Sequence, residues 1–225
     1  MKIDFVSFTK KYVRPKKGQF PTGTRVYTGY QGSGKTLSLT KYAFDVREVF
    51  PKCVIFSNVK LYGLKYCPIT DSQSLKAAIS LKNGSDGVLI LLDEAHLYFG
   101  RKDGIPLDLL TCISQQRKDR RRLVFSSQIW EELDISLRKQ VKEIVHCRCF
   151  FGKFQINTVS DGETLHYDKL KSEFVADKLY TEIFKHNLEY YTRYDTLQKI
   201  VTNEDYTALP TIKPIINQIT ATVKN

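Results

Sequence analysis

The hydrophobic positions along this chain change period repeatedly, and these changes predict alternating strands and helices. Short runs of β-branched and aromatic residues favour strands, and stretches whose apolar residues recur every three or four positions favour helices. The predicted strands cover 25–28, 53–57, 87–92, 122–125 and 143–151, and the predicted helices cover 35–50, 72–82, 107–117 and 129–141. Ser72 or Ser74 is available to cap the second helix. Strands separated by helices form βαβ units, so we expect a largely parallel sheet between two helical layers.

The segment after the fifth predicted strand contains two sets of turn residues, Gly152 and the pair Asp161–Gly162. Glycine and aspartate favour tight turns, so we expect a β-hairpin in this region. Residues 180–200 then form a tyrosine-rich segment for which we predict a helix. The whole pattern therefore predicts an α/β fold with a C-terminal hairpin and helix.

Composition changes near both ends of the chain and predicts three segments. Residues 1–23 are basic and rich in turn residues, so we expect an arm that precedes the core. Residues 24–200 hold the alternating strands and helices, and we expect them to form one domain with ample chain to bury a core. Residues 201–225 contain Pro210 and Pro214 and are expected to form an irregular tail.

The charge balance points to a polyanionic partner. Lysine and arginine total 35 against 24 aspartate and glutamate residues, which gives a net charge of +11. Such an excess favours nucleic acid or an anionic membrane surface. No stretch approaches the ~20 apolar residues of a membrane span, and the N-terminus lacks the apolar core of a secretory signal, so we expect a cytoplasmic protein. The five cysteines form no C-x-x-C pair, which disfavours a disulfide framework and a zinc ribbon.

Residues 29–36 match the phosphate-loop pattern G-x-x-x-x-G-K-[ST] in full, between a predicted strand and a predicted helix. Glycines allow the backbone to bring successive N–H groups around a β-phosphate, and the start of the helix adds its positive end. Lys35 would supply a point charge to the β and γ oxygens, and Thr36 would offer its hydroxyl to Mg²⁺. The nucleotide-binding residues expected from the motif are Gly29, Gly32, Ser33, Gly34, Lys35 and Thr36. The alternative is a glycine-rich turn that merely starts a helix.

Two carboxylates, Asp93 and Glu94, follow the apolar strand over 87–92. Open α/β sheets bind ligands at the carboxyl ends of their strands, so this position suits a functional pair. We expect Asp93 to hold the Mg²⁺ shell and Glu94 to orient and polarise an attacking water. The alternative is that the pair ends a strand and caps the next helix.

Gln128 follows the predicted strand over 122–125 and should emerge at the same sheet edge as Asp93. An amide in this place can donate to a phosphate or hold the lytic water, and we assign Gln128 a catalytic role. The alternative is a strand exit that happens to carry a glutamine before the next helix.

Several arginines precede this strand. Arg117 stands at a predicted helix end, from which it would reach the γ-phosphate of a neighbouring subunit as an arginine finger, and Arg138 is the rival candidate. For Arg121 and Arg122 the plainer interpretation is a solvated basic face.

The order of these motifs resembles that of the FtsK/HerA superfamily of hexameric DNA-pumping ATPases. The phosphate loop comes first, then the Asp93–Glu94 strand, then Arg117–Lys118, and Ser127–Gln128 follows about ten residues later. The HerA-like branch shows an Arg-Lys pair and a Ser-Gln or Thr-Gln at a similar separation. The small size and compact spacing resemble two viral branches, the genome-packaging ATPases of membrane-containing icosahedral viruses and the N-terminal domain of zonular occludens toxin-like filamentous phage assembly proteins.

The resemblance implies a RecA-like P-loop NTPase that uses ATP and Mg²⁺ and works as a homo-oligomeric ring, most often a hexamer, with double-stranded DNA in its channel. The residues that would act in catalysis are Glu94, Lys35, Gln128 and Arg117. The chain ends without the transmembrane segment usual in the filamentous phage proteins, which favours packaging of a genome into a capsid. We then expect capsid or portal-vertex proteins as partners and a location in the host cytoplasm or the virion. The alternatives are a filamentous phage assembly ATPase and a small-molecule kinase.

Overall fold

The computed structural model describes residues 18–101, 104–128, 130–169 and 173–195, which form an eight-stranded sheet, a two-stranded sheet and the helices around them. The strands are β1 (Gly23–Thr28), β2 (Val54–Ser57), β3 (Cys67–Pro68), β4 (Val88–Leu92), β5 (Arg121–Ser127), β6 (Val141–Phe150), β7 (Phe154–Asp161), β8 (His166–Asp168), β9 (Glu173–Val175) and β10 (Lys178–Lys185). The helices are α1 (Lys35–Val49), α2 (Ser72–Ser80), α3 (Leu107–Ser114), α4 (Ile135–Arg138) and α5 (Leu188–Thr192). Short 3₁₀ turns cover Gly84–Asp86, Ala95–Leu97, Trp130–Glu132 and Gly162–Thr164.

The large sheet has the order β10-β7-β6-β1-β5-β4-β2-β3. The six strands from β6 to β3 in this order run parallel, β7 runs antiparallel to β6, and β10 runs antiparallel to β7. In the parallel part, β5 lies between β1 and β4, with Val26 opposite Phe125 and Leu123 opposite Ile90. The carboxyl ends of β1, β5 and β4 therefore meet at one sheet edge.

Strand β4 is buried along its whole length because helices cover both faces of the sheet. Leu89 and Leu91 point into the core formed with α1, whereas Val88, Ile90 and Leu92 point into the core formed with α2 and α3. This confirms the prediction made from its almost wholly apolar sequence, since a strand with two covered faces does not alternate with polar residues.

The cap of one predicted helix and the extent of another differ from the observed ones. Asp71, not Ser72 or Ser74, caps α2, and Ser74 completes the capping box by accepting the backbone N–H of Asp71. The predicted helix over 129–141 was wrong as a single element, and residue 129 lies outside the described ranges. The chain instead forms the turn Trp130–Glu132 and then α4, because the Asp134 carboxylate accepts the N–H groups of Ser136 and Leu137 and starts a new helix.

The helix predicted over 180–200 was also wrong. Lys178–Lys185 is strand β10. Of the described part of this segment, 180–195, only Leu188–Thr192 is helical, and 196–200 lie outside the described ranges. The observed period is two, since Glu182 faces the core with Tyr180 and Phe184 beside it and Ile183 points to the opposite, exposed face. The predicted hairpin is confirmed, with β6 and β7 joined through Gly152.

Several arginines are buried rather than solvated, which corrects the interpretation of Arg121 and Arg122. Arg122 donates to Glu143 at 2.5 Å, and Arg25 on β1 donates to Glu143 at 2.9 Å and to Glu182 at 2.5 Å. Arg121 donates to the Cys112 carbonyl and to Asp119. Burial opposes ionisation of Glu143, but the two guanidinium groups outweigh it and lower the pKa of Glu143 to about 2. Arg25, Arg122, Glu143 and Glu182 form a charge cluster that joins β1, β5, β6 and β10 beneath α1.

Phe20, which precedes β1, belongs to the packed core. It is buried, and its ring contacts that of Phe50 edge to face with 5.2 Å between the ring centroids. Most of the predicted arm and the whole predicted tail, 1–17 and 201–225, lie outside the described residues. Within the described ranges no helix has both the length and the apolarity needed to cross a membrane.

Candidate active site

The loop between β1 and α1 is the candidate phosphate site. Ser33 closes a turn by donating its N–H to the Tyr30 carbonyl at 3.1 Å, and Gly34, with φ of +83°, precedes the first turn of α1. Gly32 has φ of +77°, a backbone region that side chains disfavour. The first turn of α1 carries no acidic residue, so the positive end of this helix is left to face the loop. The Ser33 hydroxyl oxygen is buried and finds no hydrogen-bond partner among the described residues, which suits a loop that takes a phosphate oxygen.

Lys35 is the cation of the loop. Its side chain turns back over the loop, and its Nζ donates to the carbonyls of Gly29 and Tyr30, each at 3.1 Å. Lys35 is buried, whereas Tyr30 at the crest of the loop is 88% exposed. The ammonium group therefore lies within the loop that the motif predicts for a phosphate chain.

Thr36 and Asp93 supply two adjacent oxygen atoms. The Thr36 hydroxyl donates to Asp93 Oδ2 at 2.8 Å, and the Ser126 hydroxyl donates to Asp93 Oδ1. Burial raises the pKa of Asp93, and the hydroxyls of Ser126 and Thr36 offset part of this effect. One carboxylate and one hydroxyl fit Mg²⁺, which takes oxygen ligands and is commonly held by one or two carboxylates together with substrate phosphates.

Asn58, at the end of β2, fixes the backbone of Asp93. Its side-chain amide donates to the Asp93 carbonyl at 2.9 Å, and its Oδ1 accepts the Asp93 N–H at 2.8 Å. Neither Asn58 nor Ser126 was predicted from the sequence as part of the site. Each is a polar residue at or just after the carboxyl end of a strand that neighbours β4, which is the signal that could have indicated them.

Glu94 leaves β4 in a left-handed conformation, with φ of 52° and ψ of 56°. This region is uncommon for a residue with a side chain, and it is retained mostly where surrounding contacts enforce it. Here the Glu94 N–H donates to Ser126 Oγ at 3.0 Å, and Gln128 Nε2 donates to Glu94 Oε1 at 2.9 Å. His96 Nδ1 lies 3.3 Å from Glu94 Oε2. Contacts with Gln128 and His96 therefore fix the orientation of the Glu94 carboxylate, and the bond to Ser126 fixes its backbone.

Gln128 emerges at the edge that the sequence predicts, next to the acidic pair, and its amide contacts the carboxylate of Glu94. Arg117 does not approach the site of its own chain. It is exposed in the turn before β5, so the length of that strand, about 20 Å, separates it from the carboxyl edge. Arg138 in α4 lies just before β6, also toward the amino edge of the sheet. A role for either arginine in a neighbouring subunit stays a prediction.

A cleft of about 590 Å³ opens beside the phosphate loop. Its walls come from the loop, from the carboxyl end of β5, from β6 and from the segment around β9. The lining includes Tyr30, Gln128, Trp130, His146 and Arg148. The site thus has an open approach on the β6 side of the loop.

Comparison with known proteins agrees with this fold. The sequence matches no family model and no curated protein. Among solved structures it is similar to the N-terminal domain of zonular occludens toxin from Neisseria meningitidis, with 18% identity, a TM-score of 0.57, and coverage of 77% of this chain and 98% of that one. It is also similar to the genome packaging NTPase B204 from Sulfolobus turreted icosahedral virus 2 in complex with sulfate, with 16% identity, a TM-score of 0.50, and coverage of 70% and 96%.

These likenesses, together with the strand order and the loop before α1, show that the chain has the RecA-like P-loop NTPase fold predicted from its sequence.

Proposed function

We propose that this protein is an ATP-hydrolysing motor that moves double-stranded DNA, working as a homo-oligomeric ring, a hexamer, that packages a viral genome into a preformed capsid. One observation carries the proposal. The edge that holds the phosphate loop also holds a Thr36–Asp93 pair suited to Mg²⁺ and a Glu94 carboxylate aimed by Gln128. A protein that only binds nucleotide needs no such carboxylate.

The chemistry assigned to these residues is hydrolysis of the γ-phosphate of ATP. Lys35 and the loop amides bind the phosphate chain, and Glu94 orients the attacking water and accepts its proton. Gln128 holds the Glu94 carboxylate in place through its 2.9 Å bond. Thr36 and Asp93 would hold Mg²⁺, which when bound neutralises charge on the phosphates.

Two features support DNA as the polymer that is moved. The net charge of +11 favours binding to a phosphate backbone without reading of bases. The solved structure of B204, with a TM-score of 0.50, is described as a genome packaging NTPase. Salt-sensitive DNA binding with no preference for sequence is the expected outcome.

The test measures ATP hydrolysis with and without duplex DNA while the assembly state is followed by light scattering. Duplex DNA should stimulate phosphate release under the conditions in which a ring forms. Hydrolysis that is indifferent to DNA at every protein concentration, or DNA binding that is unaffected by salt, would contradict the motor.

A filamentous phage assembly ATPase is the second candidate. The zonular occludens toxin domain gives the higher TM-score of the two structures reported above, 0.57 against 0.50. Recovery of the protein from capsids supports packaging, whereas recovery from host membranes supports assembly. A small-molecule kinase, the third possibility, should act as a monomer and transfer phosphate to an acceptor rather than to water.

A further inference from the structure

Gln155 contacts the phosphate loop from a distant part of the chain. It lies on β7, near the tip of the β6–β7 hairpin, and its side chain is fully buried. Its Nε2 donates to the Ser33 carbonyl at 2.8 Å and to Asn157 Oδ1 at 2.9 Å. Asn157 in turn donates to the Ser38 hydroxyl in α1 at 3.1 Å. The hairpin therefore bonds to the loop and to the helix that follows it.

The contact with the loop is close enough to require glycine. A Cβ atom placed on Gly34 would lie 2.1 Å from Gln155 Oε1, far below any real contact distance. Gly34 is thus constrained twice, by its positive φ and by the amide packed against it. Gln155 therefore packs directly against the Ser33–Gly34 peptide and leaves no space there for a side chain on residue 34.

Two further side chains hold the amide in this orientation. Gln155 Nε2 donates both of its hydrogens, one to Ser33 and one to Asn157. Its Oε1 can therefore accept a hydrogen bond, and His186 Nε2 lies 3.1 Å from this oxygen. The Tyr191 hydroxyl lies 2.6 Å from the other ring nitrogen, Nδ1. A neutral His186 with its proton on Nε2 is compatible with both of these contacts, since Tyr191 then donates to Nδ1 and Nε2 donates to Gln155. The orientation of a buried amide thereby depends on a partly exposed histidine and an exposed tyrosine.

We propose that Gln155 is a positioning residue for the phosphate loop, oriented by His186 and Tyr191, and that this trio sets how tightly the loop holds nucleotide. The inference rests on the proposed function. Glu94 and Gln128 follow β4 and β5, which lie on the other side of β1 from the hairpin, so the trio acts on binding rather than on the attacking water. Losing one of its bonds should change nucleotide affinity and the KM for ATP more than kcat.

The experiment compares the dissociation constant of a fluorescent ADP and the steady-state constants for ATP across four variants. Gln155→Leu and His186→Phe remove the hydrogen bonds and keep similar side-chain volume. His186→Gln retains a donor toward Gln155. Tyr167→Phe, which removes one hydroxyl from an exposed tyrosine on β8 outside the trio, is the control. Thermal melting of each variant reports whether it is folded.

We expect His186→Phe and Gln155→Leu to raise the dissociation constant and KM about tenfold, with kcat within about twofold, because one net hydrogen bond is at stake. His186→Gln should restore most of the affinity, and Tyr167→Phe should match wild type. The inference would be overturned if folded Gln155→Leu bound nucleotide as tightly as wild type. It would also be overturned if His186→Gln lost as much nucleotide affinity as His186→Phe. If Gln155→Leu does not fold, the comparison of His186→Phe with His186→Gln tests the inference by itself. Wild-type protein that binds no nucleotide would instead overturn the proposed function.

Discussion

The Thr36 hydroxyl donates a 2.8 Å hydrogen bond to the carboxylate of Asp93, which joins the start of α1 to the end of β4 across 57 positions. Because both oxygens suit Mg²⁺, their contact shows that the fold brings the expected metal-binding groups together. Asn58 and Ser126 keep Asp93 in this position from the strands on either side.

Asp93→Asn should abolish the gain in nucleotide affinity that Mg²⁺ provides, because the amide has the shape of the carboxylate but not its charge. Titrations of fluorescent ADP or ATP analogue with Mg²⁺ and with chelator measure this. Wild type should bind at least about tenfold more tightly with the ion, a difference of about 1.4 kcal/mol, and the variant should bind equally in both. Asp108→Asn, a change in the first turn of α3, serves as the control. A retained Mg²⁺ response in Asp93→Asn would remove this residue from the ion's shell.

Lys35→Ala should weaken nucleotide binding by about a hundredfold, since it removes the charge-assisted bonds that Lys35 would make with phosphate. Lys41 lies on the same helix and its Nζ donates to Asp45 at 2.6 Å. Lys41→Ala is the control and should leave nucleotide affinity near that of wild type. Equilibrium titration with a fluorescent ATP analogue compares the two. Comparable losses in both variants would indicate a general effect on α1 rather than a phosphate contact.

Glu94→Gln should bind nucleotide as wild type does and lose at least about a hundredfold in kcat, because the amide cannot take a proton from water. Gln128→Leu should lower kcat less, by about tenfold, since Glu94 would remain but lose the bond that orients it. Phosphate release under saturating ATP measures both. Glu132→Gln, a change of an exposed acid in the turn that follows Gln128, is the control. Normal turnover in Glu94→Gln would exclude this carboxylate as the base.

Arg117→Ala tests whether this exposed arginine acts on a neighbouring subunit, as predicted from its position in the sequence. Since Arg117 lies at the opposite sheet edge from its own site, the variant alone should be inactive as a ring but should bind nucleotide. Mixing it with Glu94→Gln subunits should recover part of the hydrolysis, because some interfaces then pair an intact Glu94 with an intact Arg117. An absence of recovery at every mixing ratio would exclude the trans role.

Glu143 makes acid stability a test of the buried charge cluster. Its pKa is lowered to about 2 by Arg122 and Arg25, against an ordinary value of 4.5. The stabilisation is fully present above pH 4.5 and is lost as the pH falls toward 2. The free energy of unfolding of wild type should thus drop about 3 kcal/mol more than that of Glu143→Gln across this range. Urea denaturation at a series of pH values measures it, with Glu132→Gln as control. Parallel curves for wild type and Glu143→Gln would contradict the proposed coupling.

The sequence alone predicts the central part of this site because its signals are local. The loop over 29–36 is one motif, and Asp93, Glu94 and Gln128 each follow an apolar strand. Parallel strands place such residues at one edge, so their proximity follows from the fold class. Gln155 has no comparable signal. Its contact with Ser33 spans 122 positions and depends on which strand lies beside β6, which periodicity does not reveal.

The errors have physical causes as well. Residues 178–185 alternate between two faces, but the polar and charged residues among them obscure the strand pattern. Arg121 and Arg122 occur in a run of basic residues that is typical of a solvated face, yet carboxylates at 119 and 143 neutralise them in the core. Whether a charge is buried depends on a partner elsewhere in the chain.

The bond between Gln155 and Ser33 has a consequence for synthesis of the protein. A ribosome that adds about ten residues per second makes Ser33 some ten seconds before Gln155. During that interval the contact beside the loop does not yet exist. The nascent N-terminal half therefore carries the whole motif without this contact, and the part of the nucleotide affinity that we assign to Gln155 becomes available only during translation of the last third of the chain.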